Sequence, residues 1–137
     1  MIGLTATELL ARLQSGQCTS VELTEAFLQQ IDRYDGHVRA FLRVDRQAAL
    51  QQARAIDRKR QAGQPLGKLA GLPVAVKDVL ATQDDLTTCA SRMLANFRAP
   101  YDAAVVAQLK AADAVLLGRT NMDEFAMGGS TENSACH

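Results

Sequence analysis

The chain has 137 residues, of which 47% are hydrophobic and 22% charged, so it can bury a core and is not predicted to be disordered. Its 15 basic and 15 acidic residues leave no net charge, which gives it no electrostatic basis for holding nucleic acid or an anionic membrane. Its apolar runs are far too short to cross a bilayer, and its N-terminus lacks the pattern of a signal peptide. We therefore expect a cytoplasmic protein, or an organellar one in a eukaryote, with no membrane partner.

The three cysteines argue against a disulfide framework and against a metal site. Cys18, Cys89 and Cys136 are odd in number and widely spaced, whereas disulfide scaffolds and C-x-x-C metal sites need pairs at short intervals. We expect reduced thiols and no bound metal. Cys18 and Cys89 are interpreted as small packing residues, and His37 as an exposed side chain after a turn.

Two T-x-x-E patterns, starting at Thr5 and Thr19, each predict the N-terminus of a helix, because the threonine and the glutamate cap each other's backbone N–H groups. The first helix is predicted to run to about Leu13. The second is predicted to run to about Tyr34 and to end at Asp35-Gly36.

A short β-rich segment, residues 38–44, then predicts an edge strand. A third helix is predicted from Asp45, its N-cap, to about Gln61, with a buried side formed by Ala49, Ala53 and Ile56. A turn-rich connection at 63–67 follows. We expect a single domain made of a helical layer, residues 1–64, and the first βαβ part of an α/β core, residues 65–137.

The core begins with Gly71-Leu-Pro-Val-Ala-Val-Lys-Asp78. Its short β-branched run, bounded by a turn and by charges, predicts a strand that is buried on both faces. Lys77 and Asp78 would then emerge at the carboxyl end of this strand, where ligands gather in α/β sheets. A lysine desolvated there can lose its charge and act as a base, although a solvated lysine is the simpler alternative.

The rest of the chain predicts a second strand, parallel to the first. After a polar loop at 82–91, Asp102 is predicted to cap a helix over 103–112, whose Val105, Val106 and Leu109 face inward. Residues 114–118 then form a buried strand, which completes a βαβ unit and predicts an α/β fold with a mixed, largely parallel sheet.

Two further expectations concern the residues beside this second strand. Asp113 lies where a helix ends, and we expect it to adopt a left-handed conformation with some local strain. A short helix capped by Thr120 is predicted to run to Phe125, with acidic residues in its first turn.

Three stretches in this order resemble the amidase-signature hydrolases. They are the 71–78 stretch, Pro100-Tyr-Asp-Ala-Ala-Val-Val, and Gly118-Arg-Thr-Asn-Met-Asp-Glu-Phe-Ala-Met127. Within that family, the last stretch with Ser130-Thr-Glu-Asn-Ser134 is most similar to the glutamine-hydrolysing subunits of tRNA-dependent amidotransferases. The resemblance implies the amidase-signature fold, incomplete at the C-terminus of this chain.

The resemblance also implies a Ser–cis-Ser–Lys mechanism in which Lys77 is the general base. The two serines of the family lie downstream of residues 118–134, beyond His137, so the 137-residue chain alone is expected to be inactive. Ser130 does not match the nucleophile loop, and the adjacent Cys136 and His137 are not expected to form a dyad. A substrate-lining role is expected instead for Ala126, Met127, Gly128, Gly129 and Ser130, while Asp78 is expected to orient neighbouring backbone rather than pair with Lys77.

The same resemblance implies that the chain works inside a complex. Its expected partners are the B and C subunits of a heterotrimer, glutamine as the ammonia donor, and a misacylated tRNA, Glu-tRNA(Gln) or Asp-tRNA(Asn), reached through the complex. No cofactor is expected in this chain, and ATP and Mg would be used by the partner subunit. Three alternatives remain: a stand-alone amidase of the same family, a non-catalytic binding module, and a fragment that does not fold stably.

Overall fold

The computed structural model describes residues 1–136, which form four α-helices and a three-stranded sheet. In chain order the helices and strands are α1 (Ala6–Gln14), α2 (Ser20–Val38), β1 (Phe41–Arg43), α3 (Arg46–Gln61), β2 (Pro73–Lys77), α4 (Ala104–Ala111) and β3 (Val115–Thr120). Two short 3-10 helices lie at Arg92–Leu94 and Glu124–Ala126. No helix within residues 1–136 combines the length and the apolar character needed to span a bilayer.

Both predicted capping boxes are confirmed. Thr5 and Thr19 each accept a hydrogen bond from the N–H of the glutamate three residues later, and that glutamate accepts from the threonine N–H in return. The predicted end of α2 at Gly36 is wrong, because the helix continues to Val38 and Arg39 provides its left-handed cap at φ 54°. Asp35 instead accepts the N–H groups of Ala40 and Phe41, which fixes the turn into β1.

Helix α3 begins as predicted. The Asp45 carboxylate accepts the N–H of Ala48 at 2.9 Å, and Ala49 and Ala53 are fully buried against the sheet and α2. Gln52 extends this contact, since its side-chain oxygen accepts the N–H of Leu116 at 3.0 Å. The helical layer is therefore tied to the sheet by polar as well as apolar contacts.

The sheet has the order β1-β3-β2, with β1 antiparallel and β2 parallel to β3. The predicted α/β fold with a mixed sheet is confirmed, and β1 is an edge strand, although shorter than predicted. The prediction that β2 is buried on both faces is wrong: Val76 is buried, whereas Ala75 and Lys77 are exposed. Among the described residues β2 has a strand neighbour on one side alone, so part of its surface stays open.

Two details of the βαβ unit differ from the prediction. Asp102 does not cap α4, because its carboxylate accepts the N–H of Gln83 and pairs with Lys110 instead. Val105 is exposed, whereas Val106 is fully buried as predicted.

The prediction of a helix from Thr120 to Phe125 is wrong, because Thr120 still belongs to β3. It lies opposite Lys77 in the parallel register, its carbonyl accepts the N–H of Asp78, and the next residue, Asn121, donates its N–H to Ala40. These sheet-like hydrogen bonds keep the chain extended. Helical structure begins at Glu124 and lasts one 3-10 turn.

Asp113 has the predicted left-handed conformation, with φ at 60°. Its carboxylate accepts the ammonium group of Lys59 and the N–H of Gly67, both at 2.7 Å. The residue thus links the end of α3, the connection to β2 and the start of β3.

Candidate active site

Lys77 lies at the carboxyl end of β2, beside the carboxyl end of β3. It is paired in register with Thr120, and the following N–H of Asp78 donates to the Thr120 carbonyl at 3.2 Å. Because parallel strands end at the same edge of a sheet, the residues after β3 come next to Lys77. The side chain of Lys77 itself is exposed in this chain.

Asp78 is fully buried and is bound by residues other than Lys77. Its carboxylate forms an ion pair with Arg43 and accepts both the hydroxyl and the N–H of Thr88, the latter at 3.0 Å. Arg43 also donates to the carbonyl of Leu86 at 2.8 Å. The carboxylate therefore fixes the backbone of residues 86–88, directly through Thr88 and through Arg43, in agreement with the role expected for it.

The turn at residues 88–90 connects Asp78 with the segment that follows β3. The N–H of Cys89 donates to the backbone carbonyl of Asp78 at 3.3 Å, and the Cys89 carbonyl accepts the N–H of Phe125 at 3.0 Å. The carbonyl of Ala90 accepts the N–H of Ala135 at 3.0 Å. Cys89 and Ala90 both have positive φ, 51° and 52°, a conformation that tertiary contacts must hold in place.

Asp123 is the second buried carboxylate near Lys77, and it organises the segment after β3. It accepts the backbone N–H groups of Ser130 at 3.2 Å, Thr131 at 3.0 Å and Asn133 at 3.0 Å. The chain from 126 to 134 therefore turns around this one side chain. We call residues 126–134 the Asp123 loop.

The electrostatics of Asp123 follow from these contacts. The N–H groups of Asn133 and Thr131, and then that of Ser130, lower the pKa of Asp123 against the opposing effect of burial. The positive charge of Lys77 acts in the same direction. Asp123 is therefore ionised at neutral pH and lies close enough to Lys77 to feel its charge.

The five residues expected to line a substrate pocket, residues 126–130, lie in the Asp123 loop. All five are exposed, and the structure places them at the same edge of the sheet as Lys77. The hydroxyl of Ser130 donates to the carboxylate of Glu132 at 2.7 Å. The catalytic role of Lys77 and the substrate-lining role of this loop stay predictions.

The remaining candidate side chains are poorly suited to act as nucleophiles or metal ligands. Burial, and then the charge of Asp78, raises the pKa of the Cys89 thiol, so this thiol is a poor nucleophile. Cys136 is exposed, and the dyad considered for it involves His137, which lies outside the described residues. Within residues 1–136 no three His, Cys, Asp or Glu side chains are grouped so that they could hold a metal ion.

A cleft of about 530 Å³ lies beside the Asp78 network, between the end of α2, β1 and the turn at 88–92. Its lining includes Arg43, Thr88 and Asn121 but not Lys77. The surroundings of Lys77 are open in this chain, so this cleft is not the substrate pocket expected at the strand end.

Sequence reasoning misses Arg43, Thr88 and the true role of Asp123. It predicts an ordinary polar loop at 82–91, and it places Asp123 as an acidic residue in the first turn of a helix. A usable indication is present for Asp123, because the glycines and short polar residues of 128–134 favour a tight loop that needs a hydrogen-bond acceptor. Nothing local to Arg43 or Thr88 indicates their shared partner, Asp78, which lies 35 and 10 residues away from them.

Comparison with known proteins shows the family of this chain. The family model described as Amidase matches residues 22–137. The chain belongs to the amidase family. Its fold agrees, since it superposes on the native peptide amidase of Stenotrophomonas maltophilia with a TM-score of 0.84 and 35% identity, over 90% of this chain and 26% of that one.

Three further relatives show how much of a family member this chain represents. It is 56% identical over 98% of its length to the A subunit of the glutamyl-tRNA(Gln) amidotransferase of Streptomyces coelicolor, and 55% identical over 98% to that of Aromatoleum aromaticum. It also matches a chain from a vestigial protein complex connected with the origins of an s-triazine catabolic enzyme, at 39% identity and a TM-score of 0.89, over 95% of this chain and 29% of that one. The amidase-family chain spans about 27% of the length of the two curated relatives.

Proposed function

We propose that this amidase-family chain is the N-terminal part of the glutamine-hydrolysing subunit of a tRNA-dependent amidotransferase. The observation that carries the proposal is its identity of 53–56% to glutamyl-tRNA(Gln) amidotransferase relatives over 98% of its length. The position of Lys77 at a strand end, beside a loop built around a buried carboxylate, provides a site of the required kind.

In the proposed reaction, Lys77 is the base that activates a serine supplied by the rest of the protein. Neutral Lys77 accepts a proton from the bridging cis-serine, which takes one from the nucleophilic serine as its oxygen attacks the carboxamide carbon of glutamine. The C–N bond breaks, the proton passes to the leaving nitrogen, and ammonia departs from an acyl-enzyme. Water then releases glutamate, and backbone N–H groups stabilise the oxyanion of each tetrahedral intermediate.

The arrangement of carboxylates near Lys77 supports this role. Asp78 is adjacent in sequence but is paired with Arg43, and the nearby Asp123 carboxylate is engaged by the N–H groups of Ser130, Thr131 and Asn133. Within residues 1–136 neither of them, nor any other carboxylate, forms an ion pair with the Lys77 ammonium group. A tightly paired lysine would stay protonated, whereas an unpaired lysine can lose its proton once it is desolvated. We propose that the remainder of the protein covers Lys77 and supplies that desolvation.

The complex that this function requires has several members. We propose B and C subunits, joined with this protein in a heterotrimer, ATP and Mg bound by the partner rather than by this chain, and glutamine as the ammonia donor. The misacylated tRNA, Glu-tRNA(Gln) or Asp-tRNA(Asn), would be bound through the complex, which fits the zero net charge of this chain. The proposed location is the cytoplasm.

A stand-alone amidase is the second candidate, favoured by the 35% identity to a peptide amidase. The two candidates differ in what happens to the released ammonia. A member of an amidotransferase passes it to a partner that amidates a tRNA-bound residue, whereas a stand-alone amidase needs no partner for any step.

The proposed base is tested by glutamine hydrolysis in the full-length protein, in complex with its partners. Lys77→Met should lower kcat by roughly 100- to 10,000-fold, the range expected when a general base is removed. Lys68→Met provides the matched control, because Lys68 is another exposed lysine, nine residues earlier in the chain, and its loss should leave kcat unchanged. Equal activity in the Lys77 and Lys68 variants would reject Lys77 as the base.

A further inference from the structure

We propose that Asp123 is a positioning residue for the substrate: it seats the Asp123 loop at the strand end that carries Lys77, and so sets how glutamine is held. The inference rests on the proposed function. From the sequence alone, Asp123 is expected only to be an acidic residue in the first turn of a helix.

Three backbone N–H groups converge on the one carboxylate of Asp123. One oxygen of Asp123 accepts from Ser130 and Thr131, and the other accepts from Asn133 at 3.0 Å. Hydrogen bonds to an ionised acceptor are about twice as strong as neutral ones. A single buried side chain thus determines the path of the loop over four consecutive residues.

Gly128 closely approaches the same carboxylate. A Cβ atom at position 128 would lie 2.4 Å from the carboxylate carbon and from one of its oxygens, Oδ2. Any side chain at 128 would therefore displace either the loop or the carboxylate. The loop therefore contacts Asp123 both through the backbone of Gly128 and through the N–H groups of Ser130, Thr131 and Asn133.

Hydrogen bonds also join the Asp123 loop to the backbone next to Lys77. Next to Asp123, the N–H of Glu124 donates to the carbonyl of Asn133 at 3.1 Å, which closes the base of the loop. Phe125 donates its N–H to Cys89, whose own N–H donates to Asp78, the residue after Lys77. Phe125 and Ala126 have positive φ, 52° and 60°, so this path is strained and depends on its contacts.

The experiment measures glutamine hydrolysis by the full-length protein in its complex, for Asp123→Ala, Gly128→Ala and the double variant. Each single change should raise KM for glutamine roughly tenfold and change kcat less than about threefold, because the loop that contacts substrate is misplaced while the base is intact. A purely structural role would instead reduce the active fraction, which lowers kcat and leaves KM unchanged. That second pattern would overturn the proposal.

The double variant provides the sharper result. Without the Asp123 carboxylate, a Cβ at position 128 loses both contacts at 2.4 Å and still meets the Cβ of residue 123 at 2.8 Å, so the double variant should have a KM well below the product of the two single increases. An increase in KM equal to that product would show that the two residues act separately and would overturn the proposal. Asp102→Asn is the control, because Asp102 also accepts a backbone N–H, that of Gln83 at 2.8 Å, but lies just before α4 and outside the Asp123 loop; its KM should be that of the wild type.

A second measurement separates this inference from the proposed function. Amide hydrogen exchange of the peptide covering 126–134 needs no activity, and it should become at least tenfold faster in Asp123→Ala than in the wild type, since three of its N–H groups lose their acceptor. Faster exchange in a protein without glutaminase activity would reject the proposed function but would support the role of Asp123 in positioning the loop. Unchanged exchange would overturn the inference whatever the activity.

Discussion

At the scale of single residues, substitution of the buried Asp78 should cost the protein much of its stability. It has no exposure to solvent, it forms an ion pair with Arg43, and it accepts the hydroxyl and the N–H of Thr88. Removing its charge leaves Arg43 without a counter-ion in a largely buried position, and such a loss is far more costly than breaking an ion pair at the surface.

We therefore expect Asp78→Asn to lower the free energy of unfolding by about 2–4 kcal/mol. Asp32→Asn is the matched control, because Asp32 also pairs with an arginine, Arg46, but both side chains are well exposed; its effect should stay below about 1 kcal/mol. Urea unfolding of the two variants measures both values. Similar values for the two variants would show that Asp78 is no more than a surface partner.

At the scale of elements, the short strand β1 is held against β3 by a close backbone approach at Gly118. A Cβ atom at 118 would lie 2.7 Å from the carbonyl oxygen of Arg43 and 3.1 Å from the side chains of Phe41 and Val44. The position of β1 in turn sets the position of Arg43, and so that of the Asp78 network.

Gly118→Ala should thus destabilise the protein by about 1–3 kcal/mol, as expected for overpacking. Gly36→Ala should do the reverse and stabilise by about 0.5–1 kcal/mol, because Gly36 lies inside α2 with open space around its Cα. Thermal unfolding of both variants should show a lower Tm for Gly118→Ala and a higher Tm for Gly36→Ala. A loss of stability in both, or in neither, would contradict this description of the two glycines.

The elements also show what could be predicted from sequence. Helices α1, α2 and α3 begin where predicted, because capping residues act within four positions of each other. The failures come from distant partners: Asp102 binds Gln83 rather than capping α4, and Thr120 stays in β3 because Asp78 donates to it. Lys77 could be located at a strand end, but the Asp123 loop could not be, since its hydrogen bonds depend on the folded path of the chain.

At the scale of the whole molecule, ionised carboxylates cap helix ends and also join segments far apart in the chain. The N–H groups of Thr5 and Thr19 lower the pKa of Glu8 and Glu22 respectively. Asp102 has its pKa lowered by Lys110 and then by the Gln83 N–H. Burial acts to raise the pKa of Asp113, but Lys59 and the Gly67 N–H together bring it below its ordinary value.

Because the pKa of each of these four carboxylates is lowered, the protein should lose stability in acid. A carboxylate with a lowered folded pKa stabilises the fold above its unfolded pKa, 3.8 for Asp and 4.5 for Glu, and this stability disappears as the pH falls through the folded value. Urea unfolding should therefore give a free energy that decreases below about pH 4.5. Glu22→Gln should be less stable than the wild type at pH 7 and should approach it at pH 3; a constant difference between the two at both pH values would contradict this assignment.

The central claim is that Lys77 serves glutamine hydrolysis inside an amidotransferase, and the most direct measurement is amidation of Glu-tRNA(Gln) by the full complex with two different nitrogen donors. With Lys77→Met, we expect amidation from glutamine to fall at least 100-fold, while amidation from added ammonium chloride stays at the wild-type rate, since free ammonia bypasses the lysine. Wild-type rates with glutamine would contradict a catalytic role for Lys77. An equal loss with both donors would show that the substitution damages the complex rather than the glutaminase site.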